Sequence, residues 1–481
     1  MVFSSSLFLF LFLPVVLVIN YLLDKKYRNV FLLIASLFFY FWGEGILVAI
    51  MIASICFNYI FGVIIHYSKV KGFPIFSKAM LFIAVISNLS VLVYYKYFGF
   101  IVENILFFGA SSTLKIPEIL LPIGISFFTF QSLSYCVDVY KGETQVQKNP
   151  LDLGLYISLF PQLIAGPIVR YNDIEKQIAS RRITKEDFAH GIEQFIRGLV
   201  KKIVFANSAA VVADSTFVIS ASELPTSMAW LGIISYSLQI YFDFSGYSDM
   251  ALGLGRMLGF KFPINFNYPY ISKSIQDFWR RWHISLSTWF RDYLYFPLGG
   301  SRTSLKNTYR NLFIVFLATG IWHGASWNFV VWGLFHGFFI IIERIGLNNF
   351  LKKSNEFIQR GYALLVVIFG WVFFRSEDLS YAVQYIKSMI TITSGTDYSP
   401  LLEVDNYNLA VLICGVLLCM PIRIFLSQKI SQIESNWRIS KSLVYRRLKL
   451  FSLCIMFMLA LVFCAMHIAN DSYNPFIYFR F

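Results

Sequence analysis

Two stretches decide the fold: "FLLIASLFFYF" at residues 31–41 and "VLICGVLLCM" at residues 411–420. Neither carries a charge, and neither alternates apolar with polar side chains. A strand of a membrane barrel would alternate, because its successive side chains face lipid and lumen in turn. A continuous apolar run satisfies its backbone as a helix, which hydrocarbon demands of any segment not closed into a barrel. Comparable runs recur from residue 3 to residue 468, and each needs about 20 residues to cross a ~30 Å core. The expectation is an all-α, polytopic membrane protein, a single integral-membrane domain over residues 1–481 with no water-soluble domain.

Composition points the same way. The chain is 57% hydrophobic, 19% aromatic and only 14% charged, with a mean hydropathy of +0.62, whereas soluble domains carry about 25% charged residues. The net charge of +14 lies in loops between apolar runs. It therefore predicts cytoplasmic loops and contact with anionic membrane lipids, and no nucleic acid. The six cysteines include no CxxC pair and read as small packing residues, with no metal site. No internal repeat points to an inverted-repeat transporter. The N-terminal apolar run has Lys25, Lys26 and Arg28 after it, not before it, the reverse of a cleaved signal, so it is expected to remain as a helix with an external N-terminus.

From that anchor the topology alternates. "WGEG" at 42–45 reads as an outside turn and "HYSKVKGFPIFSK" at 66–78 as a cytoplasmic loop. Spans are expected near 79–95, 98–110, 119–138, 226–258, 311–322, 326–343, 361–374, 406–425 and 448–468, with broken or re-entrant helix at 151–168 around Pro161 and Pro167. The estimate is eleven to thirteen membrane helices. The basic stretches 170–202 and 261–310 read as cytoplasmic, amphipathic interfacial helices.

"GIWHGASWNFVVWGLFHG", residues 320–337, places His323 and His336 among tryptophans and glycines. Counting from Arg310 at ~1.5 Å per residue puts His323 about 20 Å inward. An ionisable group at that depth faces a protein-lined cavity and is a functional candidate, although an intramembrane histidine also bonds neighbouring helices. Gly320, Gly324, Ala325 and Ser326 permit close approach of a ligand or a helix. "DFWRRWHISLSTWFRDYLYFPLGG", residues 277–300, clusters Arg280, Arg281, His283, Arg291 and Asp292 with three tryptophans. An interfacial aromatic belt with headgroup-binding arginines accounts for most of these. His283 stands apart, because an imidazole titrates near neutral pH and suits proton transfer.

These two motifs, together with "MVFSSSLFLFLFLP", "LPIGISFFTFQSLSY", "FPQLIAGPI" and "YFDFSGYSDMALGLGRMLGF", resemble the membrane-bound O-acyltransferase (MBOAT) family, in its bacterial polysaccharide-acetylating branch, over nearly the whole chain. The resemblance implies a funnel-like core with active-site motifs at 240–340, His323 as catalytic histidine and His283 as the second polar position. It also implies acetyl-CoA as a cytoplasmic acyl donor, no permanently bound cofactor, and Arg280, Arg281 and Arg291 on the donor side. The final acceptor would be a cell-envelope polysaccharide, alginate-like or peptidoglycan, reached through an extracytoplasmic SGNH-like or AlgJ/AlgX-like acetyltransferase at the bacterial cytoplasmic (inner) membrane. D-alanyl transfer is the alternative within the family. A transporter or flippase is the alternative outside it, since intramembrane His and Asp serve that role too.

The chemistry fits a buried histidine. A neutral imidazole can take a hydroxyl proton as that oxygen attacks a thioester, and burial excludes competing water while strengthening any oxyanion donor. The indole N–H groups of Trp322 and Trp327 and the Ser326 hydroxyl are candidate donors, with Asn328 as a further supporting residue. Asp243 and Asp249 could orient a histidine or pair with Arg256 or another buried cation. His336 reads as a structural histidine bonded across helices. The aromatic tail "NPFIYFRF", residues 474–481, is an interfacial anchor on physics alone. The resemblance instead makes Tyr478 a candidate acyl relay, its phenol of pKa ~10 being a better leaving group than a sugar hydroxyl.

Overall fold

The computed structural model describes residues 1–109, 119–392, 398–400, 404–436, 443–470 and 477. Among them every regular element is helical, so the chain is all-α as its apolar runs require. Five stretches are long and apolar enough to cross a membrane: Lys25–Val70, Pro74–Phe107, Trp327–Lys353, Glu356–Arg375 and Arg447–Asn470. The first is broken at Gly45, whose φ of 55° is open to glycine, into helices Lys25–Glu44 and Val48–Val70. Phe8–Leu22 and Asn406–Leu418 are shorter apolar helices. Two further long helices, Thr226–Met257 and Leu305–His323, are too polar to be counted with these. Thr226–Met257 buries Ser235, Gln239, Asp243 and Ser248 along with its apolar side chains.

Glycine pairs set how closely the central helices approach. Lys185–Val200 runs antiparallel to Thr226–Met257, with Gly191 opposite Gly253 and Gly198 opposite Gly246. A Cβ on Gly198 would lie 2.5 Å from the Gly246 carbonyl oxygen, so any side chain would wedge the pair apart. The same device joins Leu305–His323 to Trp327–Ile342, where a Cβ on Gly333 would lie 2.9 Å from the Gly320 Cα. The small residues around His323 thus serve helix packing. Between these two helices the chain breaks at Gly324, and Ser326 caps the second by accepting the Asn328 N–H at 3.2 Å.

Two expectations are corrected. The spans read at 79–95 and 98–110 are one continuous helical stretch, Pro74 to Gly109, passing through a π turn at Val93–Tyr97. Lys96, a charged residue between those two expected spans, lies inside the protein, its ammonium donating to the Trp322 carbonyl at 2.6 Å. Residues 170–202 do form amphipathic helices, Tyr171–Ala179 and Lys185–Val200. Residues 261–310 differ from expectation up to Ser304, being extended chain and short helices at Pro269–Ile271, Ile275–Trp279 and Ile284–Phe290. The belt tryptophans Trp279, Trp282 and Trp289 are buried in the core, not laid against headgroups. All six cysteines are free.

Candidate active site

His323 is the last residue of its helix and is buried. Trp322, Trp332 and Phe374 pack edge-on to its ring at centroid distances of 5.0, 4.9 and 5.2 Å. His283, fully buried, stands at the N-cap of Ile284–Phe290 with φ 42°. The Trp322 indole lies 6.1 Å from the His283 ring, so residues 283 and 323 meet at one aromatic side chain. Its N–H is buried and finds no acceptor among the described residues.

Sequence reasoning missed Asn265. Its side-chain oxygen lies 3.1 Å from His283 Nδ1, accepts the Ser285 N–H at 3.2 Å and the Ser285 hydroxyl at 2.9 Å, while its backbone carbonyl accepts the Ile284 N–H. Because a backbone N–H must point at an acceptor, the amide atom there is oxygen and His283 Nδ1 is the protonated nitrogen. Nε2 therefore carries the lone pair. The second missed residue is Lys96, whose Nζ donates to the Trp322 carbonyl and, at 3.2 Å, to Ser126 Oγ.

Two cavities approach His323. One, of about 410 Å³, has Arg280 and Arg291 on its wall with Trp279, Ser287, Phe316 and Thr319. Thr319 precedes His323 by one helical turn, ~6 Å of rise. The other is a cleft of about 20 Å³ lined by His323, Trp322, Lys96, Ser126 and Gly124, room for about one water. Arg281 faces neither, being held by Asp277 at 2.9 Å and the Asn267 carbonyl at 3.3 Å. Arg291 also pairs with Asp292 at 2.7 Å, and Arg170 takes the other Asp292 oxygen at 2.6 Å.

Other candidates fall elsewhere. Trp327 is half exposed and gives its indole N–H to Asn104 at 2.9 Å; beginning a new helix after the break, it points away from His323. Ser326 serves as that helix's cap. Asn328 is buried and donates to the Ser376 carbonyl at 2.7 Å, a tie between helices. Asp243 pairs with Lys202 at 2.8 Å, both almost fully buried, and Asp249 with Lys201 at 2.6 Å. The buried-cation alternative therefore describes both, with lysines where Arg256 was considered. His336 makes no cross-helix hydrogen bond among the described residues. Its ring packs on Trp332, Trp279 and Phe278 and fills the space left by Gly370, where a Cβ would lie 2.8 Å from Nε2. Tyr478 lies outside the described residues. Ile477, immediately before it, is buried, and its N–H donates to Asp243 at 2.9 Å. No three His, Cys, Asp or Glu side chains gather as a metal site among the described residues.

Comparison with known proteins follows this geometry. The pattern of the membrane-bound O-acyltransferase family matches residues 148–375. The chain is 40% identical, over the full length of both proteins, to a probable alginate O-acetylase AlgI of Pseudomonas putida. It is 38% identical to a peptidoglycan O-acetyltransferase of Helicobacter pylori over 81% of this chain and 80% of that protein. With a teichoic acid D-alanyltransferase of Bacillus subtilis it shares 32% identity over 49% of this chain and 60% of that protein.

Proposed function

The chain belongs to the membrane-bound O-acyltransferase family and is an O-acyltransferase, and from that premise we propose that it passes an acetyl group outward across the bacterial cytoplasmic membrane. The donor is a cytoplasmic thioester, acetyl-CoA, and the final acceptor a cell-envelope polysaccharide of the alginate or peptidoglycan kind. The observation that carries this reading is the position of His323 on the wall of the small cleft, one helical turn beyond Thr319 of the arginine-walled cavity. Arg280 and Arg291 suit the phosphates of a CoA thioester, and the aromatic walls suit its apolar arm. Transport without covalent chemistry gives way to the family relation. Acetyl is preferred to D-alanyl because similarity to the acetylating relatives spans at least 80% of both chains, against about half of this chain for the D-alanyl relative.

In this reading His323 takes the acceptor hydroxyl proton as its oxygen attacks the thioester carbonyl. His283, its Nε2 lone pair set by Asn265, positions the acceptor from the other side of Trp322. Tyr478 relays the acyl group to an SGNH-like or AlgJ/AlgX-like transferase outside, a role that the burial of the neighbouring Ile477 and its bond to Asp243 support.

Labelled acetyl transfer by the purified protein in proteoliposomes tests the reading. His323→Ala should fold and insert yet transfer nothing, and near wild-type turnover would remove the general-base role. Turnover only with a D-alanyl carrier protein would redirect the donor. Intact mass should show an acetyl adduct on Tyr478 that Tyr478→Phe lacks. Impermeant labelling should reach Ser5→Cys from outside and Lys176→Cys and Arg302→Cys only from the cytoplasmic side; the reverse for Arg302→Cys would overturn the donor route.

A further inference from the structure

Lys96 is a cation placed within an apolar helical stretch, in the same cleft as His323. Its simplest role is to cap Leu305–His323, whose terminal carbonyls carry the negative end of the helix dipole. Tyr97 already performs that task beside it, donating to the Ile321 carbonyl at 2.7 Å with a neutral hydroxyl. An ammonium has three N–H donors, and the Trp322 carbonyl and Ser126 Oγ take two of them. The third is left for the cleft. Helix Ile125–Lys141 also begins there, after Gly124 at φ 77°, so a second source of positive potential converges on the same small space. A charged group with a spare donor, a helix N-terminus and the candidate base thus surround a volume of about 20 Å³.

We propose that this cleft is the oxyanion site of the acyl transfer, with Lys96 as the catalytic residue that holds the developing charge. The inference rests on the acyl-transfer reading above. The acceptor oxygen bonds to the thioester carbonyl carbon, its proton passes to His323, and the carbonyl π pair moves onto the oxygen facing Lys96 Nζ. On collapse the C=O re-forms, the C–S bond breaks, and the departing sulfur takes the proton from His323 to leave as a thiol.

Lys96→Gln separates this role from capping, because the amide still donates to the Trp322 carbonyl but carries no charge. Loss of one oxyanion donor slows turnover by about 10²–10³-fold, so kcat should fall by that factor with the donor KM unchanged. Tyr97→Phe is the capping control: its thermal midpoint should drop while kcat stays near wild type. Lys96→Gln turning over as fast as Tyr97→Phe would overturn the assignment. If Lys96→Gln does not assemble, Lys96→Arg carries the test, since it keeps charge and cap donors but displaces the charge. A misplacement near 1 Å costs on the order of 10²-fold in rate, and wild-type kcat in folded Lys96→Arg would sink the proposal. His323→Ala is assayed in parallel. If it is active, the acyl-transfer reading falls and takes this inference with it; if it is inactive while Lys96→Gln is fully active, only the Lys96 assignment falls.

Discussion

His283 and Asn265 are joined by one hydrogen bond, 3.1 Å from Nδ1 to the side-chain oxygen, and that oxygen is also where the Ser285 N–H and hydroxyl end. One acceptor therefore sets both the tautomer of the imidazole and the backbone path that carries it. Asn265→Asp keeps an acceptor in place and should retain measurable turnover. Asn265→Leu strands three donors, each unmet buried donor costing about 1–3 kcal/mol, and should lower both the thermal midpoint and turnover. Equal activity in the two variants, measured in the same vesicles, would show that His283 needs no such support.

His283 itself occupies the left-handed region at φ 42°, which asparagine tolerates far better than residues without a short polar side chain. His283→Asn can also repeat the Nδ1 donation to Asn265, whereas His283→Gln places its amide nearer the lost Nε2. The expected order of retained acyl transfer is Asn, then Gln, then Ala. Loss of all activity in the three, with folding intact, would mean that His283 must move a proton and not merely position the acceptor.

Gly320 and Gly333 hold the His323 helix against its partner, and a Cβ on Gly320 would meet the Gly333 Cα at 3.1 Å. Gly320→Val should force the helices apart and displace His323, costing about 1–3 kcal/mol for overpacking and most of the turnover. Gly361 lies within Glu356–Arg375 with nothing within 4 Å of an added Cβ. Gly361→Ala should therefore be neutral or stabilising by about 0.5–1 kcal/mol. Thermal midpoints and kcat of the two variants, compared side by side, check the difference.

The Lys202–Asp243 pair is almost wholly withdrawn from solvent. Asp243→Leu leaves a buried ammonium uncompensated and should destabilise by about 3–5 kcal/mol. The double variant Lys202→Met, Asp243→Leu should recover much of that loss, because removing both charges removes the desolvation penalty. It should not recover the anchoring of Ile477, whose N–H donates to Asp243. Limited proteolysis after residue 470 should therefore be faster in the double variant than in wild type, and an unchanged cleavage rate would show that the tail is held by other contacts.

Some of this was legible in the chain itself. Uninterrupted apolar runs such as residues 31–41 carried the helical class, and the depth of His323 marked it as a candidate without any structure. Lys96 left a signal that went unused: it falls between the spans expected at 79–95 and 98–110, and its partner is the Trp322 carbonyl. Asn265 left none, because it is one amide in a short loop stretch, and only folding puts it against His283. Trp327 shows the converse error. It lies four positions after His323, but a helix break lies between them, and closeness along a chain fixes direction only within one regular element.

The arrangement around Trp322 bears on what else crosses this protein. The arginine-walled cavity stops at residues a helical turn short of His323, and the cleft beyond has space for about one water molecule. Trp322 and Phe127 line that cleft, and the rings of Phe127 and Phe130 each lie 5.5 Å from the Trp322 ring. In the proposed reaction, whatever passes from the cavity to His323 must therefore pass these rings, so that their packing decides what crosses.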